Sequence, residues 1–392
     1  PSGDFTFSRG SNLSATRVNA SQLIEKGREN VLLQSNQFDT TWGLPNNSNV
    51  TQGFQGYDNS NNAWKFSSVN TTGTNQLLQI TSQAGVVTNS IYAKAGSIST
   101  LKIWAGFISE FDLINGTSTH SNSKITNVGN GWYRCEVFNT FNTSNPFFTA
   151  TTTGDFIYIQ DAQLEQGLVA TPYIETGAST AQAGILENTP RLDYSGGASC
   201  PSLILEPSRT NAIPNSEYFN TWTALNDVTI TANSTTSPEG VINASLMSVS
   251  GAGSSSRSIR QGSQSTSADI KTMSVFAKAN TADYIQLFHS GDAQGYVNFD
   301  LASGVVGTSG TNGTGDIEPM GNDWYRCIAT FDSVGNFGSS VYVGFATSAS
   351  AAYGGGSISD TSLSVYIFGA QYEIGSYPTS YIPTYGVSQT RA

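Results

Sequence analysis

Aromatic rings set among small polar residues are the side chains in this chain best suited to a definite chemical task. A pyranose offers an apolar C–H face and a rim of hydroxyls. A protein that binds one lays a planar ring on the face and meets the rim with amides, hydroxyls or carboxylates. Tyr57, Trp64 and Trp104 in the first half, and Tyr284, Phe288 and Tyr296 in the second, are the candidate stacking rings by their surroundings. Tyr284, Phe288 and Tyr296 alternate with Ile285, Leu287, Val297 and Phe299, so a strand would turn the two sets to opposite faces, with His289 on the Ile285/Leu287 face. Trp42, Trp132, Trp222 and Trp324 recur inside repeated words and read as core residues.

Covalent and hydrolytic chemistry finds little support. Cys135, Cys200 and Cys327 cannot form a disulfide framework, and a catalytic thiol would need a positioned histidine, of which there are only His120 and His289. Phosphate-binding Gly-x-x-x-x-Gly-Lys, Gly-x-Ser-x-Gly and His-Glu-x-x-His are all absent. Glycoside hydrolysis would need two carboxyls facing across a cleft. The repeated acids, Glu165 and Glu373, instead follow a strand word and are expected to bond turns. The expectation is a non-catalytic binding protein.

The elements that must position these rings follow from composition. Of 392 residues only 11% are charged, against roughly 25% in typical soluble domains. Forty glycines accompany abundant Ser, Thr and Asn, all weak helix formers that favour turns. Aromatics at 11% and hydrophobics at 38% suffice for packed cores. A net charge of −11 with 17 Lys and Arg leaves no basic stripe for nucleic acid, and no apolar run approaches a membrane-spanning length. The chain begins on Pro1, so it reads as a processed or excised piece, and the lack of a leader says nothing about export.

Self-comparison supplies the architecture. The stretch Asn30–Trp42 is echoed by Asn211–Trp222; Ser90-Ile91-Tyr92-Ala93-Lys94-Ala95 returns as Ser274-Val275-Phe276-Ala277-Lys278-Ala279. Trp132-Tyr133-Arg134-Cys135 returns as Trp324-Tyr325-Arg326-Cys327, and Ala162-Gln163-Leu164-Glu165-Gln166-Gly167 as Ala370-Gln371-Tyr372-Glu373-Ile374-Gly375, each followed by a Tyr-Ile pair. Alternation such as Val341/Val343/Phe345 and Leu363/Val365/Ile367 marks the words as strands. The reading is all-β, with two tandem antiparallel β-sandwich (jelly-roll) modules. Their boundaries are 30–178 and 211–392, with an N-terminal connecting segment at 1–29 and a connector at 179–210 that is too apolar to be free. The interval from Trp324 to Glu373 exceeds that from Trp132 to Glu165. Module two therefore carries an insertion within Asp332–Asp360, whose Gly354-Gly355-Gly356 reads as a flexible loop.

Several words resemble a family. Arg191-Leu192-Asp193-Tyr194, Pro201–Asn211, the Trp-Tyr-Arg-Cys strands, Gly369–Glu373 and Ser380-Tyr381-Ile382-Pro383-Thr384 resemble bacteriophage tail or fibre proteins that carry jelly rolls similar to carbohydrate-binding modules. That resemblance implies a virion surface protein, not a specific ligand, located on the virion or outside cells, with other virion proteins as partners and a homo-oligomer, often a trimer. With the candidate rings, the expected ligands are host-surface or environmental glycans. Module one also resembles extracellular carbohydrate-binding jelly rolls. There an acid after the opening Phe and an Asp in the closing strand help hold a structural calcium, which implies Asp39 and Asp161 here. In module two Asn220 and Gly369 stand in those places. Two alternatives remain: a purely structural or decoration protein that binds other virion proteins, and the binding module of a larger polysaccharide-degrading enzyme.

Overall fold

The computed structural model describes residues 13–45, 48–69, 75–81, 83, 85–140, 147–148, 153–197, 199–251, 255–267, 269–332 and 338–391. Residues 1–12 of the N-terminal segment and 333–337 of the expected insertion lie outside these. The chain forms two compact units. One is continuous, Arg28–Ala183; the other joins Pro1–Gly27 to Gly184–Ala392.

The continuous unit is a two-sheet β-sandwich. Its larger sheet runs, in spatial order, Ser123–Gly129, Trp132–Asn139, Val87–Ala95, Phe156–Gln166, Ala63–Ser68 and Ser48–Phe54. Its smaller sheet runs Thr117–Ser118, Ile108–Asp112, Thr100–Trp104, Phe147–Phe148 and Gln76–Leu77. All pairings are antiparallel. Alternate residues of facing strands, among them Leu101, Ile103, Phe111, Ile91, Cys135 and Ile159, meet between the sheets as one apolar core. Arg28–Asn30 pairs with Ala181–Ala183, so the two ends of this unit leave it side by side.

The discontinuous unit repeats the plan with two six-stranded antiparallel sheets. One holds Val228–Thr236, Ile242–Val249, Ser364–Ile374, Lys271–Ala279, Tyr325–Phe331 and Gly313–Pro319. The other holds Thr223–Leu225, Ser258–Gln261, Val341–Phe345, Tyr284–His289, Tyr296–Asp300 and Val305–Ser309. Ile285, Leu287, Val297, Phe299, Val341 and Val343 point inward, as the alternation requires. The N-terminal residues form a short hairpin, Thr16–Val18 with Ile24–Lys26, and a ribbon of Leu192–Asp193 with Ser202–Leu203 follows the return of the chain. No described helix is long and apolar enough to cross a membrane.

Candidate functional site

The words that recur most faithfully build scaffold. Asn30 donates to the Ala162 and Ile174 carbonyls and accepts from Leu32 and Leu164 N–H, stapling the opening segment to the closing strand. Asn211 does the same with Ala370, Ile382, Ile213 and Tyr372. Glu165 accepts from Gln163 and from both the amide and hydroxyl of Thr171; Glu373 is its twin with Gln371 and Thr379. Arg134 and Arg326 each donate Nη2 to the carbonyl of that threonine, at 2.6 and 2.7 Å. These repeated charges are consumed in closing each sandwich. Cys135 and Cys327 lie in the cores, where burial pushes both thiols up, away from the nucleophilic thiolate.

The sheet faces turned away from the cores differ between the modules. In module two Phe288 and Tyr296 are register partners, and Phe288 stacks on Tyr342 with centroids 4.5 Å apart and planes within 6°. Beside them stand Gln286 and Asn298, both buried although they face away from the core. What buries them is the segment 346–358. Gln286 donates to Ala352 O (3.0 Å) and accepts from Gly354 N (2.7 Å), while Asn298 donates to Ala351 O (2.7 Å). Ser256 Oγ donates to Gly354 O, and the Tyr353 hydroxyl to His289 O. Gly354, Gly355 and Gly356 all have φ near +80°, and a Cβ on Gly355 would run into the Phe345 carbonyl, so the path requires glycine there. The glycine-rich stretch is thus a fixed strap across the sheet, not the flexible loop its composition suggests. Two side-chain amides shaped for hydroxyl recognition meet the chain's own backbone.

Module one carries charges where module two has those amides. By register Lys102 pairs with Glu110 and Trp104 with Ile108, as Gln286 pairs with Asn298 and Phe288 with Tyr296. Lys102 and Glu110 form a 2.5 Å ion pair, and both stay well exposed. Trp104 is half-buried and Ile108 exposed, so an indole, an ion pair and an aliphatic side chain share one solvent-facing patch. Near it Phe107 and His120 stack at 3.6 Å.

The other ring candidates fare differently. Trp64 is 3% exposed, packed edge-on against Phe38, with Nε1 donating to Asn36 O, so it belongs to the core and has no free face. Phe288, at 4% exposed, is covered by Tyr342 and Tyr353. Tyr57 spends its ring on Tyr92 (3.8 Å, 8°) and its hydroxyl on Asp161. Tyr284 and Tyr296 are half-buried. The surroundings in sequence misled for Trp64 because the polar neighbours Asn61 and Asn62 belong to the preceding turn, whereas the ring turns inward with Phe66.

Two buried polar clusters were not legible in the words. Asp161 sits on a bulge at φ +52°, the position taken in module two by Gly369 at φ +57°. It is 6% exposed and receives the Tyr57 hydroxyl at 2.8 Å. Burial, with Asp58 and Glu175 adding repulsion, pushes its carboxyl up to about 6. Asp39 is exposed. Among the described residues no group of three or more His, Cys, Asp and Glu is placed to hold a metal ion. In the other unit Lys26 is held between Glu217 and Glu239, each 2.9 Å away, with the Tyr381 and Tyr385 hydroxyls donating to Glu217. The glutamates hold Lys26 protonated against its burial, and burial pushes Glu239 up.

No protein-family model matches this chain, and no curated protein matches it. Among solved structures, the N-terminal CBM22-1-CBM22-2 tandem domain of Xyn10C from Paenibacillus barcinonensis is similar over 94% of this chain and 100% of that one. The identity is 9% and the TM-score 0.26, too low to carry any argument about ligand.

Proposed function

We propose that the protein binds glycans without catalysis, through the solvent-facing side of module one's smaller sheet. The observation that carries this reading is the contrast between equivalent faces. Module two closes its face with its own strap, whereas module one keeps an indole, an exposed ion pair and an aliphatic side chain on the surface. Trp104 would stack on a pyranose while Lys102 and Glu110 bond its hydroxyls. Such a surface suits an extracellular or virion-surface protein of tail-fibre type, and the sequence words quoted above favour that setting. Asp161, raised by burial, would be relieved by a calcium ion in module one. Binding to immobilised host-surface and environmental polysaccharides, measured for the wild type and Trp104→Ala, tests the reading. The variant should lose about tenfold or more in affinity. Equal binding by the two proteins, or no binding to any polysaccharide with calcium present, would overturn it.

A second reading, a structural virion protein that joins neighbouring chains, is favoured by exposed leucines. Leu192 and Leu203 lie on the two-stranded ribbon and Leu205, 78% exposed, follows it. Assembly into a homotrimer would bury them. Sedimentation of Leu205→Lys separates this from the first reading, because loss of the oligomer with retained glycan binding would assign the leucines to assembly.

A further inference from the structure

The discontinuous unit contains a cavity of about 700 Å³, within the range that holds small ligands. The N-terminal hairpin, the turn after Asp193, the segment before Tyr381 and the turn 318–321 line it, and it opens to solvent. Its apolar lining includes Phe276, Met320 and Tyr381. Its charged lining is more telling. Asp193 accepts from the Val18 and Ser195 amides, and Glu206 is neutralised by Arg191 and Arg391. Arg17 is paired with Glu25. The loosest pair is Arg326 with Glu318, 4.0 Å apart.

Arg326 is 8% exposed and uses only Nη2 in hydrogen bonds, to Ser274 Oγ and Thr379 O. Its Nε has no hydrogen-bond partner among the described residues and is sealed from the cavity, with no accessible surface, whereas its Nη1 has only Glu318 at 4.0 Å, beyond hydrogen-bond reach. Arg134 makes the same two Nη2 bonds and also leaves Nε unpaired, so those features belong to the scaffold. The walled space around the guanidinium is what the discontinuous unit adds, through the hairpin and ribbon. A guanidinium with an unused Nη1 donor beside a cavity suits a carboxylate, which accepts a charge-assisted hydrogen bond there. The net charge of −11 opposes a long polyanion, which points to a ligand with a single acid group.

We infer that this cavity is a binding site for a small carboxylate-bearing sugar of the hexuronate class, its carboxylate on Arg326 Nη1 and its C–H face on Met320. Glu318, half exposed at 49%, is then a competitor that the ligand's carboxylate displaces. The site is separate from the module-one patch, so Trp104→Ala should leave uronate binding intact, and the two readings stand or fall independently.

Ligand-observed NMR titration of the full chain with D-glucuronate and D-glucose tests the inference. Glucuronate should bind about tenfold or more tightly than glucose, because only it supplies the charged partner. Glu318→Gln, a substitution at the surface, should tighten glucuronate severalfold by removing the competitor. Met320→Trp should fill the cavity and abolish binding with an unchanged circular dichroism spectrum. If that variant fails to fold, the Glu318→Gln and glucose comparisons still decide. Equal binding of the two sugars, absence of glucuronate binding, or weaker binding by Glu318→Gln would overturn the inference.

Discussion

Replacing Asp161 by Asn isolates the cost of holding a carboxylate on a buried bulge. The asparagine keeps the shape, tolerates positive φ and still accepts the Tyr57 hydroxyl, so the change is chiefly one of charge. In the folded protein the carboxyl titrates near 6 rather than at its ordinary 3.8. Between those two pH values the folded state holds a proton that the unfolded state has released. Stability therefore falls as pH rises through the window from about 4 to 6, and stays lowered above it. At about 1.4 kcal/mol per pH unit, the full penalty is about 3 kcal/mol at neutral pH and vanishes below pH 4. For a unit of this size that corresponds to roughly 6–12 °C in melting temperature. Calorimetric melts of wild type and Asp161→Asn, run in chelator from pH 4 to 8, should coincide at the acid end and diverge through the window, with the variant higher. A pH-independent offset, or a variant that melts lower at pH 7, would refute the reasoning. Calcium in place of chelator provides a separate arm. If the ion binds Asp161, the wild type should gain melting temperature at pH 7 and the variant should not.

Three further substitutions or splices probe other parts of the fold. Lys26→Met leaves Glu217 and Glu239 buried without their ammonium and should cost about 3–5 kcal/mol at pH 8 in urea melts. The cost should shrink at pH 5, where Glu239 takes up a proton, and an equal cost at both pH values would count against the buried-charge account. Gln286→Ala strips the strap of its partners at Ala352 O and Gly354 N and should cost about 1–3 kcal/mol, with faster amide exchange at Gly354. Unchanged exchange there would mean that the strap is held by something else. Joining Gly27 directly to Gly184 removes the continuous unit, and since Gly184 packs against Lys26 and Gly27, the splice needs little rearrangement. The spliced chain should melt cooperatively, and a molten product would show that the unit depends on the sequence it lost.

The fate of each candidate residue traces to how much of its environment is local. Alternation along Tyr284–His289 and Tyr296–Asp300 assigned the core face correctly, because a strand sends neighbouring side chains to opposite sides whatever lies beyond. The same alternation could not say what covers the other face. Phe288 and Trp104 occupy equivalent register positions, yet one is closed off by Tyr342, Tyr353 and the strap, while the other remains half-buried at the surface. Trp64 was misplaced because polarity of neighbours in a turn carries no information on the direction of the strand residue that follows. Glu165 and Glu373 were expected to bond turns, and each does so through its threonine.

By itself the sequence determined that the protein is two all-β sandwiches, since duplicated words and period-two alternation are short-range properties that survive without knowledge of the fold. It also marked the repeated Glu165 and Glu373 as scaffold, because residues repeated in both modules serve what both share. Only the tertiary structure decided which polar face stays open, where Asp161 is desolvated, and that Lys26 meets two glutamates some two hundred positions away along the chain. Those outcomes depend on the path of loops and on groups brought together from distant segments. Burial of a charge or an amide is fixed by what arrives from across the fold, and no local pattern in the residues encodes that arrival.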